Sequence, residues 1–210
     1  MQRLLAIAAT ALALTLPGCA TLSESQCLAS DWQTVGYRDG MSGIQSSQLL
    51  KHQNACVKHG IVPDRNAYLA GWEEGVAQYC QPNNGFNAGE RGASYSNVCP
   101  DNLKDSFYEA YQDGRRLFLA HSEINNLSRS ISQKEYRLKQ IKSQITSTEA
   151  RLVDDATPAI QRRELLEITK DLAQEQGRLQ AEIQDLTVDV AVKTERLQRL
   201  RQTLAYVGYE

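Results

Sequence analysis

The residues of this 210-residue chain able to do chemistry are five cysteines, three histidines and a scatter of carboxylates, and their spacing decides what that chemistry is. Cys27, Cys56, Cys80 and Cys99 contain no Cys-x-x-Cys pair, and His52, His59 and His121 stand far apart, so the spacing offers no metal site and implies no cofactor. There is no Gly-x-Ser-x-Gly turn to present a nucleophilic serine, and no phosphate-binding glycine pattern with its lysine. Among carboxylates, Glu73 and Glu74 are adjacent and Asp31 and Asp39 lie two helical turns apart. They read as solvated helix charges and caps rather than as a hydrolytic pair. No catalytic residue is therefore expected, and the chain reads as non-enzymatic. One segment does gather groups that could stack on a sugar or peptide: Tyr79, Phe86, Arg91 and Tyr95, in or beside the stretch from Cys80 to Cys99.

The fifth cysteine belongs to a different chemistry. Leu4 to Leu16 is an uncharged, largely apolar run of 13 residues behind Arg3, too short to span a bilayer but suited to an export signal. It ends at Leu16-Pro17-Gly18-Cys19, which resembles the lipobox of bacterial lipoproteins, with Pro17 in place of the usual small residue. The resemblance implies cleavage before Cys19, acylation of that residue with chains such as palmitate, and Ala20 directing the protein to the inner leaflet of the outer membrane. Two or more acyl chains hold firmly where one holds marginally. With Cys19 so used, four cysteines remain in an oxidising compartment, an even number that reads as two disulfides. Three pairings are open, and the preference is for Cys27 with Cys56 and Cys80 with Cys99, which joins neighbouring segments.

The elements that must position these groups divide the chain. Residues 1–100 hold 6 basic and 7 acidic side chains with 10 of the 13 glycines; residues 101–210 hold 17 basic and 18 acidic. The net charge of −2 gives no basic footprint for nucleic acid. In the first half, aromatic and glycine residues recur at helical spacing, with a weak echo in Tyr37-x-x-Gly40, Tyr68-x-x-Gly71 and Tyr111-x-x-Gly114 that is too irregular to count as a repeat. Each glycine opens a notch where another backbone can approach. Pro63-Asp64 reads as a helix start and Gln81-Pro82-Asn83-Asn84-Gly85 as a stop, with mostly loop from there to Cys99 and Gly85, Gly89 and Gly92 at turns. The spaced set Cys27, Asp31-Trp32, Gly36, Asp39-Gly40, Gly43, Cys56, His59-Gly60, Pro63-Asp64, Tyr68, Gly71, Gly75, Tyr79-Cys80, Gly85, Gly89, Gly92, Tyr95 and Cys99 resembles a family of proteobacterial lipoproteins known only as a domain of unknown function. That resemblance implies the compartment and the paired cysteines; it brings no activity.

The second half carries two seams. Ile124, Ile131, Leu138, Ile145 and Leu152 recur every seven residues beside Leu127, Lys134, Ile141 and Thr148. After Thr157-Pro158, read as an N-cap and first helical position, Leu165, Leu172, Leu179 and Leu186 recur, Lys193 interrupts, and Leu200 resumes, beside Ile183, Val190, Leu197 and Leu204. Positions whose numbers add to 310 match in kind: Ile131 with Leu179, Leu138 with Leu172, Lys134 with Gln176, Thr148 with Arg162. That mirror predicts an antiparallel hairpin within one chain, its tip near Asp155. Below residue 120 the mirror fails, setting Leu197 against Asp113 and Leu204 against Ser106, so Leu197, Leu200, Leu204, Tyr206 and Val207 are expected to pack on the cysteine-rich head.

The expected architecture is all-α: signal peptide 1–18, lipidated tether 19–26, a small disulfide-stapled helical domain 27–119, and a long antiparallel coiled-coil hairpin 120–210. The expected function is that of an outer-membrane lipoprotein anchored by its lipid and facing the periplasm. Its hairpin would act as an adaptor, spacer or scaffold for an envelope protein partner. The alternative is a module binding peptidoglycan or another envelope ligand through the Cys80 to Cys99 segment. A third expectation, an envelope hydrolase using Asp31, Asp39 or Glu73, ranks last.

Overall fold

A computed structural model describes residues 22–207, with side chains through 205. The signal segment, the lipobox, Cys19 and Ala20 lie outside the described residues, as do the side chains of Tyr206 and Val207. The described chain is helical throughout and contains no strand. It forms two compact units that divide between Tyr79 and Cys80. The boundary expected at 119/120, where the mirrored seam begins, falls inside one unbroken helix.

The first unit holds α1 (Glu24–Ala29), α2 (Trp32–Met41), α3 (Gln48–Cys56) with a 3-10 turn to His59, and α4 (Arg65–Tyr79). Asp31 caps α2 by accepting from the Gln33 N–H (3.2 Å), and Asp64 caps α4 by accepting from the N–H groups of Asn66 and Ala67 (2.9 and 3.0 Å). The helix start read at Pro63-Asp64 is therefore present. α2 and α4 run parallel and touch backbone to backbone. A Cβ at Gly36 would collide with the carbonyl of Tyr68, one at Gly40 with that of Trp72, one at Gly71 with that of Gln33, and one at Gly75 with that of Tyr37. Flanks without a side chain let Cα–H groups approach carbonyl oxygens at this distance, a contact that a Cβ would block. Trp32, Val35, Cys56 and Tyr68 form the core beside this seam.

The second unit holds α5 (Pro82–Glu90), α6 (Asp101–Val153) and α7 (Ala159–Val207). The stretch expected as loop is thus largely a helix: Pro82 sits in its first turn, and Gly85 and Gly89 are interior positions packed on α6 rather than turns. A Cβ at Gly85 or Gly89 would strike the carbonyls of Phe107 or Tyr111, and one at Gly114 that of Phe86. Close packing here overrides the poor helix propensity of a Pro-Asn-Asn-Gly start. Only Gly92 takes the turn role, at φ 71°.

The two helix pairs share one plan. Gly36, Gly40, Gly43 and Ile44 have counterparts in Gly85, Gly89, Gly92 and Ala93; Tyr68, Gly71, Trp72, Gly75 and Tyr79 have counterparts in Phe107, Ala110, Tyr111, Gly114 and Phe118. Gly43 and Gly92 both adopt positive φ, and a side chain on either would overlap the ring of Tyr79 or Phe118. Trp72 Nε1 donates to the Ile44 carbonyl (2.7 Å) as Tyr111 Oη donates to that of Ala93 (2.8 Å). The disulfides correspond too. Cys27–Cys56 and Cys80–Cys99 each join the chain before the first helix of a pair to the segment returning to start the second. The faint Tyr-x-x-Gly echo is thus a genuine duplication, differently framed: Tyr111-x-x-Gly114 answers Trp72-x-x-Gly75.

From Asp154 the chain turns into the hairpin expected from the heptads. The turn closes through Ala156 N–H to Asp154 Oδ1 (2.9 Å) and Thr157 Oγ1 to the Arg151 carbonyl (2.8 Å), so Thr157 ties the turn instead of capping α7. Ile141, Thr148, Leu165, Leu179, Leu197 and Leu204 are buried along the seam. Arg137 bonds Glu175 through two contacts (2.9 and 3.0 Å). Each seam lysine reaches a glutamate of the opposite helix, Lys134 to Glu182 and Lys193 to Glu123. Helical side chains lean toward their own N-terminus, and both reaches follow that lean from the expected register. Below residue 120 the seam packs on the cysteine-rich head, as expected for Leu197, Leu200 and Leu204. Leu197 and Leu204 join Phe86, Ala110 and Leu117 in one core, with Leu200, Ala120 and Ile124 against it.

Candidate functional site

The groups singled out along the sequence fall in different places. Tyr79 belongs to the first unit, where its ring meets Gly43. Phe86, Arg91 and Tyr95 belong to the second. Phe86 is buried in the core with Leu117, and Arg91 is the exposed C-cap residue of α5. Tyr95 is half-buried, its ring 5.1 to 6.2 Å from those of Phe107, Tyr108 and Tyr111. Its hydroxyl is buried without a hydrogen-bond partner among the described residues, and burial raises its pKa. The hairpin's charges are largely exposed and some are paired: a hydrogen bond from Arg137 depresses the pKa of Glu175, and one from Lys134 depresses that of Glu182.

The carboxylates set aside as caps prove unequal. Asp31 accepts from Thr34 Oγ1 (2.6 Å) as well as from the Gln33 N–H, and the Thr34 bond lowers its pKa. Glu73 is exposed, and Glu74 accepts from Gln33 Nε2 (3.2 Å). Asp39 is different. Its Oδ2 receives both the His52 Nε2–H (2.8 Å) and the Tyr68 hydroxyl (2.7 Å). His52 is 3% exposed and Tyr68 0%, with their rings edge to face at 6.0 Å. Burial, followed by the bond to Asp39, pushes the Tyr68 hydroxyl far above the ordinary tyrosine pKa. The carboxylate fixes the imidazole tautomer and ring orientation. His52 carries no local signal in the sequence because its partner lies in another helix, 13 residues earlier.

Asp39 and His52 line a cleft of about 490 Å3 in the first unit together with Gln26, Asp31, Thr34 and Arg38, while Tyr68 is fully buried and outside that lining. α2 supplies Asp31, Thr34, Arg38 and Asp39 from one face, since positions three, four, seven and eight apart align on a helix. The other histidines stand elsewhere: His59 lies 3.6 Å from Glu24, and His121 Nε2 accepts from Arg201 (2.7 Å).

Paired glycine-notched helices, each pair stapled by a disulfide, define the domain from Asp31 to the early turns of α6. Residues 31–116 match the profile of the family described as protein of unknown function (DUF2799), the kind of uncharacterised family that the spaced cysteine, glycine and tyrosine positions indicated. The match takes in both helix pairs and stops short of the hairpin. No curated protein and no solved structure matches the chain.

Proposed function

We propose that this is a non-enzymatic lipoprotein of the outer membrane's inner leaflet, held by acyl chains on Cys19, that uses its hairpin as an adaptor or spacer toward an envelope protein partner. The observation that carries the reading is the self-complementary seam of α6 and α7, which turns the charge-rich half of the chain into a long projection with its polar faces outward. Among the described residues no helix is long and apolar enough to cross a membrane. Affinity capture through the lipidated protein, with and without residues 120–190, tests it. Specific partners are expected to disappear with the arm, and an unchanged partner set would refute the role.

The second reading, peptidoglycan binding through the Cys80 to Cys99 segment, has less to support it because Phe86 is core and Tyr95 is engaged by its neighbours. Sedimentation with purified sacculi separates the two. Arg91→Ala and Tyr95→Ala are expected to leave any retention unchanged.

A further inference from the structure

Because the two helix pairs are built on one plan, each serves as a control for the other. On the correspondence given above, Asp39 falls on Ala88 and Tyr68 on Phe107. Ala88 is 6% exposed and Phe107 0%, so the second pair closes with a methyl and a phenyl group where the first buries a carboxylate and a phenol. His52 has no counterpart, since it sits in the return segment 42–64, which is longer than its equivalent 91–100. Burying a polar network costs desolvation, and well-packed apolar substitutes are commonly neutral or stabilising. The architecture therefore closes without this network, and a demand other than folding accounts for it.

The placement of the network says what the demand is. Asp39 lines the cleft with its side chain 15% exposed; both its bonds fall on Oδ2, and no hydrogen bond among the described residues falls on Oδ1. Asp31 also lines the cleft two turns back along the same helix, and so does Arg38, the residue before Asp39, whose Nε donates to the Thr34 carbonyl (3.4 Å). The cleft thus offers two carboxylates, one held rigid from behind, beside one planar cation. Its volume is in the range that encloses a small molecule.

We propose that this cleft binds a small zwitterion, a free amino acid or the end of a short peptide. Its ammonium sits on Asp39 and its carboxylate on Arg38, with Asp31 adding negative charge farther along the cleft. His52 and Tyr68 are positioning residues that hold the Asp39 carboxylate toward the ligand. The site is independent of the hairpin's role and would stand if that reading fell.

The test is calorimetric titration of the full-length protein in detergent with L-alanyl-L-alanine and D-alanyl-D-alanine, alongside their N-acetylated and C-amidated forms. At least one free dipeptide is expected to bind saturably. Acetylation, amidation, Asp39→Asn and Arg38→Gln are each expected to weaken binding about tenfold or more, equivalent to ~1.4 kcal/mol. Asp39→Asn keeps an acceptor for Tyr68 and His52, so its melting temperature reports whether the fold is intact. The triple variant Asp39→Ala, His52→Leu, Tyr68→Phe extends the second pair's apolar solution to the first; it is expected to melt no lower than the native protein and to bind neither dipeptide. Three outcomes would overturn the proposal: no saturable binding of either dipeptide by the native protein, binding indifferent to Asp39→Asn, or a triple variant that melts well below native.

Discussion

At Gly71 the nearest obstacle to a side chain is the Gln33 carbonyl, a backbone atom that cannot swing aside. Gly71→Ala is expected to cost about 3 kcal/mol by chemical denaturation, near the top of the usual range for overpacking. Gly177, on the open face of α7 with nothing within 4 Å, gives the opposite sign: Gly177→Ala is expected to stabilise by about 0.8 to 1 kcal/mol. Tyr68 supplies a pH signature. Its folded pKa is raised by burial and by Asp39, so the stability it confers is complete below the unfolded tyrosine pKa and is lost as pH rises through and beyond about 10. Thermal melts across alkaline pH are expected to show the first unit weakening, with the slope reduced in Tyr68→Phe. At this scale the sequence was informative where chemistry is local. Pro63-Asp64 could be read as a helix start, and short separations favoured, without fixing, the pairing of Cys27 with Cys56 and Cys80 with Cys99 that the structure has. The Asp39–His52–Tyr68 network joins three segments, and no local pattern announces it.

Among the elements, the heptad seam was legible because one periodicity persists over nine layers, from Ile124 to Leu152, and because apolar and polar positions mirror about one tip. Ile141, fully buried in that seam, tests it: Ile141→Ala is expected to cost about 2 to 5 kcal/mol, read from the hairpin's helical signal on melting. Lys134→Leu is expected to act oppositely, raising the melting temperature while permitting self-association visible by light scattering, because a polar seam residue specifies register and partner at some cost in stability. Acid acts on the same seam. Glu175 and Glu182 have depressed pKa values through their bonds to Arg137 and Lys134, so their contribution is present above the ordinary carboxylate range and lost as pH falls through it. α5 shows why another element was missed. Its composition is that of a turn, and only the tertiary contact with α6, which needs glycine at 85 and 89, makes it a helix. The duplication was hidden for a related reason. It conserves the size of the notch and the presence of a ring, while the identities drift from Tyr68 to Phe107 and from Gly71 to Ala110, and the return segments differ in length.

For the molecule as a whole, two units with separate cores and separate staples predict separable unfolding. Cys27 and Cys56 lie 29 residues apart and Cys80 and Cys99 lie 19 apart, and closing loops of this size contributes about 3 kcal/mol each on a chain-entropy estimate. Replacing Cys27 and Cys56 together with serine is expected to lower one calorimetric transition and leave a second, assigned to the hairpin and its base, near its native temperature. α6 also has a mechanical meaning. Its 53 residues make a shaft of about 80 Å, clamped at one end by the glycine contacts of α5 and free of any break before Asp154. A twist or push applied at the tip has no hinge in which to dissipate. It arrives at Gly114 and Phe86 as a displacement of that clamp, so a load on the distal turn would register as strain where α5 is seated.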